Sequence, residues 1–236
     1  MQSYDPYELM ITPSNKKGEM IIDEILKEDK ANLNLVSDLI LLGANLDWQE
    51  GDGRTALHVS AYRNYLEISK MLIDAGADLN IQHNDGRTAL HWCARWNHPE
   101  IARMLIDAGA DVNIQDEDGW TALHLCVRWN NPEIARMILD AGADVNIQDN
   151  IGRTALHVSA VKNHPEILGL LIDAGADLNI QGNDGWTALH VSAFNNRLEI
   201  TQVLIDAGAD KTIPNNDVEL PYELPDRKEF KELLKP

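Results

Sequence analysis

Thr-Ala-Leu-His occurs five times in this chain at a constant step of 33 residues. GRTALH begins at Gly53, Gly86 and Gly152, and GWTALH at Gly119 and Gly185. A second marker, Gly-Ala-Asp or Gly-Ala-Asn, falls at Gly43, Gly76, Gly109, Gly142, Gly175 and Gly208 with the same step. Two independent markers share one phase, and a unit this short cannot bury its own apolar face. Successive units must therefore stack into an array.

One unit shows how the local chemistry works. Asp85-Gly86 is a tight-turn dipeptide whose glycine accepts positive φ, as the tip of a hairpin-like finger needs. Thr88 is placed to cap a first helix, with Leu90 and Ala94 pointing inward. Asn97-His98-Pro99-Glu100 ends that helix and starts a second, with Pro99 in its first turn and Glu100 near the positive end of its dipole. Ile101, Met104 and Leu105 supply a buried stripe, Gly109 ends the helix, and ADVNIQD runs on as extended chain.

The residues TALH(V/W/L)(S/C), followed by PEIARMLIDAGADVNIQD, resemble the ankyrin repeat over roughly residues 18 to 224. The resemblance implies an all-α solenoid of stacked helix-turn-helix units with β-turn or hairpin fingers. It also implies a non-catalytic module for protein–protein interaction. Ala56, Ala89, Ala122, Ala155 and Ala188 stand where the family has proline. Alanine is an excellent helix former, so this departure costs the assignment little.

The phase predicts a mobile tail at 1–17 and an N-terminal capping repeat at 18–50. Five repeats follow at 51–83, 84–116, 117–149, 150–182 and 183–214, and a C-terminal capping repeat spans 215–236. The first cap is expected to be polar at its edge through Lys16, Lys17, Glu24, Lys27, Glu28, Asp29 and Lys30. Tyr4, Tyr7, Leu9, Met10 and Ile11 offer the tail a way to pack on that cap. At the other end LPYEL replaces the Thr-Ala-Leu-His phase, Pro225 interrupts, and RKEFKELL makes a charged last helix.

The net charge of −18 argues against general binding to nucleic acid or anionic membranes, because phosphates repel an acidic surface. No basic start followed by an apolar stretch marks a secretory signal, and LILLGANL at Leu39–Leu46 is too short to span a bilayer. Cys93 and Cys126 occupy equivalent places in neighbouring repeats, which stack about 10 Å apart, too far for a disulfide. An intracellular, cytoplasmic monomer is expected.

Five of the eight histidines, His58, His91, His124, His157 and His190, are the motif histidine, which the resemblance assigns to tying turn to helix. His83, His98 and His164 are expected at turn or surface sites. No H-E-x-x-H, C-x-x-C, phosphate loop or G-x-S-x-G elbow is present, and the repeated carboxylates read as turn formers and solvated surface. The expectation is therefore no enzyme, no cofactor and no metal. Asn80, Asn113, Asn146 and Asn179 resemble the ankyrin asparagines modified by a factor-inhibiting asparaginyl hydroxylase, with turn hydrogen bonding as the plainer role. Asp47 and Thr212 stand at the matching places in the caps.

Differences between near-identical repeats are informative. The residue after the finger glycine is Arg54, Arg87, Trp120, Arg153 or Trp186. The first helices end in Tyr62-Arg63, Arg95-Trp96, Arg128-Trp129, Val161-Lys162 and Phe194-Asn195. The resemblance places both positions on the concave face, where partners are held. Aromatics and arginine are the residues enriched at binding hot spots, whereas a packing role would ask for Leu, Ile or Val of fixed volume. Trp96, Trp129, Trp120 and Trp186 are thus expected exposed, and Trp92, whose counterparts are Val59, Leu125, Val158 and Val191, is expected in the core or in a seam between repeats.

Asp74, Asp107, Asp140, Asp173 and Asp206 end the second helices against the dipole, so the expected molecule is acidic outside with a basic, aromatic groove. Its partner is expected to be a protein or peptide carrying acidic and apolar or aromatic side chains. A scaffold for several partners or a host-directed effector is the alternative, and stacking of single-stranded nucleic acid on the tryptophans a remote one.

Overall fold

The computed structural model describes residues 5–27, 31–225 and 228–235. Among these residues the regular structure is helical throughout. After α1 (Pro6–Ile11), α2 (Ser14–Leu26) and α3 (Leu33–Leu41) come five helix pairs. They are α4 (Ala56–Arg63) with α5 (Leu66–Asp74), α6 (Ala89–Trp96) with α7 (Pro99–Asp107), α8 (Ala122–Trp129) with α9 (Pro132–Asp140), α10 (Ala155–Lys162) with α11 (Pro165–Asp173), and α12 (Ala188–Phe194) with α13 (Leu198–Asp206). A 3-10 turn at Pro221–Glu223 and α14 (Lys228–Leu234) close the chain. The chain divides into two compact units, Met1–Glu117 and Asp118–Pro236.

Each first helix begins with a capping box in which histidine does the work usually given to Glu or Gln. In α4 the Thr55 hydroxyl accepts from the His58 N–H at 3.4 Å, and the Thr55 N–H donates to His58 Nδ1 at 3.1 Å. The reciprocal bond recurs at 3.2 Å for Thr88–His91, Thr121–His124, Thr154–His157 and Thr187–His190. At the far end Asn64, Asn97, Asn130 and Asn163 take left-handed backbone, with φ between 58° and 62°. Asparagine tolerates that region because its short polar side chain bonds locally. Pro99, Pro132 and Pro165 then open the second helices at the first position, where the missing N–H is no loss.

The finger needs glycine for two reasons. Gly86 has φ +77°, and a Cβ there would lie 2.7 Å from the Glu117 nitrogen and 2.9 Å from the Asp116 Cα. The following finger therefore leaves no room for a side chain. Its turn is closed by His83 N–H to Arg87 O at 3.0 Å and Gly86 N–H to His83 O at 2.8 Å, so the finger is a tight turn rather than a strand pair.

In the first unit α4 packs on α6 and α5 on α7. In the second α8, α10 and α12 stack in order, as do α9, α11 and α13. Leu90, Ala94, Ile101 and Leu105 are buried as expected, and Met104 is half-buried. Cys93 and Cys126 are buried free thiols, and burial pushes the Cys93 thiol well up.

The edge of the first unit differs from expectation. Residues 5–17 carry α1 and the start of α2. Leu9 is buried, whereas Tyr7, Met10 and Ile11 are exposed, and Tyr4 lies outside the described residues. Lys17 and Glu24 do not decorate a polar edge. Both are buried, because each finds a partner that offsets desolvation: Lys17 Nζ donates to Leu42 O at 2.7 Å, and Glu24 accepts from the Asn32 N–H at 2.8 Å and pairs with Lys27. Glu28, Asp29 and Lys30 lie outside the described residues.

At the C-terminal end Glu223 takes the place of the motif histidine, accepting the Leu220 N–H at 2.7 Å. Phe230 and Leu234 anchor α14, and Lys211 Nζ donates to Leu233 O and Lys235 O.

Candidate functional site: the finger and first-helix face

The invariant residues build the frame. His58 Nδ1 accepts, so Nε2 carries the proton and donates to Arg87 O, 29 residues on, at 3.0 Å. The same bond joins His124 to Arg153 O, His157 to Trp186 O and His190 to Glu219 O. Gln82 Nε2 bridges Gly86 O and Gln115 O, and Gln181 bridges Gly185 O and Pro214 O. Burial pushes the His58 imidazole down from 6.5 to about 4 against the opposing pull of the Arg87 carbonyl, and it lowers His157 and His190 too.

The asparagines belong to the same ladder. Asn80 Oδ1 accepts from the Asp111 N–H at 2.8 Å, Asn146 from Asp177 and Asn179 from Asp210 at 2.9 Å, and Asp47 does the same for Asp78. Asn113 is exposed and donates its own N–H to Asp111 Oδ1 at 2.8 Å. The side chains of Asp47, Asn80, Asn146 and Asn179 each tie one repeat to the next.

In the first unit the variable positions gather around a cleft of ≈ 380 Å³ lined by Arg54, Tyr62, Arg87, Trp92, Arg95 and Trp96. Tyr62 meets Trp92 and Trp96 edge-on, at centroid distances of 5.5 and 5.8 Å. Trp96 is 47% exposed and Tyr62 40%. Arg95 lies over the Trp96 ring at 5.4 Å and Arg87 over Trp92 at 5.9 Å. Arg63 is exposed at the end of α4. Trp92 is half-buried, packing on His83 at 5.4 Å, and its indole N–H is buried without a hydrogen-bond partner.

The finger arginines are not a bare basic ribbon. Arg54 pairs with Asp52 at 2.7 Å and Glu50 at 3.4 Å, and Arg87 with Asp116 at 3.0 Å. Arg153 donates through Nε and Nη2 to one oxygen, Oδ2, of buried Asp149, at 2.9 and 2.8 Å. Asp149 also accepts the Ile151 and Arg153 N–H groups, so it holds the turn and the guanidinium together. These pairings neutralise Arg54, Arg87 and Arg153 within the chain.

In the second unit Trp129 is 47% exposed and Phe194 57%, at corresponding ends of α8 and α12, and Lys162 is exposed between them at the end of α10. Trp120 is a correction: it is only 8% exposed, lying against His124 at 5.8 Å with Arg128 and Arg153 over its ring at 5.2 and 5.7 Å. Its ring is covered by its own neighbours. Trp186 is half-buried, against His190 at 6.1 Å and Phe194 at 5.2 Å.

His83 is buried rather than superficial, accepting the Asp85 N–H at 2.9 Å, and His98 Nδ1 reaches Ala61 O at 2.8 Å. Among the described residues no three His, Cys, Asp or Glu side chains are placed to hold a metal ion. No helix among them is long and apolar enough to cross a membrane. Two roles went unanticipated: the left-handed asparagines, and the finger-base acceptors Asp116, Asp149 and Asn215. Both recur in phase, the asparagines at Asn64, Asn97, Asn130, Asn163 and Asn196.

Residues 26–116 and 142–215 match the family model described as "Ankyrin repeats (3 copies)", and residues 118–150 match the single "Ankyrin repeat" model. The chain belongs to the ankyrin repeat family. Its fold is the ankyrin-repeat solenoid, all-helical among the described residues. It is similar to the crystal structure of the ankyrin repeat domain of Bcl-3, described as a unique member of the IkappaB protein family. The match has a TM-score of 0.83 at 26% identity and covers 93% of this chain and 97% of that one. No curated protein matches the sequence at a significant level. Ankyrin repeats are typically non-enzymatic interaction modules, which makes this chain a protein–protein interaction module. The fold alone does not choose the partner.

Proposed function

We propose that this ankyrin array, five full repeats between two capping repeats, is a non-catalytic cytoplasmic monomer. It holds a protein or peptide segment against the face made by its fingers and first-helix ends. One observation carries the reading: Tyr62, Trp96, Trp129 and Phe194 are all left substantially exposed at the two adjacent positions that end the first helices. The array does not need aromatics there for packing, since Val161 and Lys162 occupy the two positions in the fourth full repeat. Aromatics supply large contact area with few rotamers to lose, which suits a binding anchor.

The test is a pull-down comparing wild type with Trp96→Ala/Trp129→Ala, after circular dichroism shows both folded. Captured proteins are then titrated directly against each form. Specific proteins lost by the folded variant, with weakened direct affinity, support the reading. Undiminished capture and affinity put the working surface elsewhere.

A further inference from the structure

We propose that Arg128, held over the Trp120 and Trp129 indoles, is a receptor for the side-chain carboxylate of an acidic residue in a partner's peptide segment. This deepens the protein-binding reading above and rests on it. The contrast among arginines carries it. Arg54, Arg87 and Arg153 each spend their guanidinium on carboxylates of this chain. Arg128 is exposed and, among the described residues, has no carboxylate or hydrogen-bond partner; its fixed contacts are the rings of Trp120 at 5.2 Å and Trp129 at 5.6 Å.

The platform beneath it is rigid. Trp120 is buried, and the second guanidinium over its ring, Arg153, is clamped by Asp149. A guanidinium placed in this way has lost much of its rotamer freedom before binding, while its five N–H donors are unspent. Such a fork matches a carboxylate bidentately. The neighbouring Trp129 surface offers contact to an apolar residue beside the acid. A chain of net charge −18 repels a polyphosphate, whereas one unpaired guanidinium suits one carboxylate.

The experiment titrates acetyl-Ala-Glu-Phe-Ala-amide, and the same peptide with Gln for Glu, into the full-length chain. It follows the Arg Nε–H and Trp indole N–H signals by NMR. The expected result is saturable shifts at Arg128 and Trp129 with the Glu peptide, weaker by roughly tenfold or more with the Gln peptide. Arg128→Gln is expected to abolish the discrimination, and Arg136→Gln, at an exposed arginine of the second helix α9, to keep it. Equal response to both peptides, or discrimination surviving Arg128→Gln, overturns the proposal. So do shifts at Arg128 that arise only with an oligothymidylate, or only from raising the protein's own concentration. The two readings fail separately. Pull-down loss without peptide discrimination removes the receptor and leaves the binding face. Discrimination with undiminished pull-down does the reverse.

Discussion

His58 Nε2 stands 3.0 Å from the carbonyl oxygen of Arg87, and its Nδ1 accepts the N–H of Thr55, so both ring nitrogens are committed in the neutral tautomer. Protonation would put a second hydrogen where Nδ1 must accept. Burial depresses the folded pKa, to about 4 for His58 and in the same direction for His157 and His190. In the unfolded chain these groups titrate near 6.5. Their contribution is complete above that value and is lost as pH falls toward the folded pKa, because only the unfolded state takes up the protons. Chemical denaturation should show stability level from pH 7.5 to about 6.5 and then, for His58, falling by up to about 1.4 kcal/mol per pH unit toward pH 4.5, with His157 and His190 adding in the same direction. A flat profile across that window contradicts the burial-driven depression.

The clamp at Arg153 should be costly to break. Asp149→Ala leaves the guanidinium and two turn N–H groups short of an acceptor, so a loss of about 2–4 kcal/mol is expected. Arg128→Gln, which breaks no ion pair, should stay within about 0.5 kcal/mol. Urea denaturation of both variants compares them directly.

Two glycines with similar φ should respond differently. Gly86→Ala places a Cβ 2.7 Å from a backbone nitrogen, whereas Gly76→Ala, at φ +85°, meets nothing within 4 Å. The second should cost about 1 kcal/mol from backbone strain alone, and the first clearly more. Equal losses in thermal melts would mean the fingers can part without penalty.

Tryptophans of the binding face should separate by burial. Trp120→Ala is expected to cost about 3–5 kcal/mol, in the range for a buried ring. Trp129→Ala should cost about 1 kcal/mol, its ring being half in solvent already. Trp92→Phe removes a buried indole N–H that has no partner, so it should fall within about 1 kcal/mol of wild type despite the smaller ring.

The array and its phase were legible because Thr, His, Gly and Asp recur every 33 residues, and each recurrence marks a backbone need. The burial of Trp120 was not legible. Its exposure depends on Arg128 and Arg153 lying over its ring, and no local pattern reports a contact across 8 and 33 residues. The arginine charges misled for a related reason. Asp116 and Asp149 looked like turn formers in sequence, and only their burial reveals them as counter-ions. Lys17 and Glu24 repeat the point, since a charged pattern reads as surface until a carbonyl or an N–H is found within reach.

The backbone tie from the Asn84 N–H to Asp52 O, like that from Glu117 to Asp85, spans 32 residues. The rungs made by the motif histidines, the glutamines and the asparagines reach no further than 33. A chain whose recurrent partners are always this near has a short search to make. On the ribosome each finger can dock as soon as its successor clears the exit tunnel, so synthesis and assembly can proceed in step from the first repeat onward.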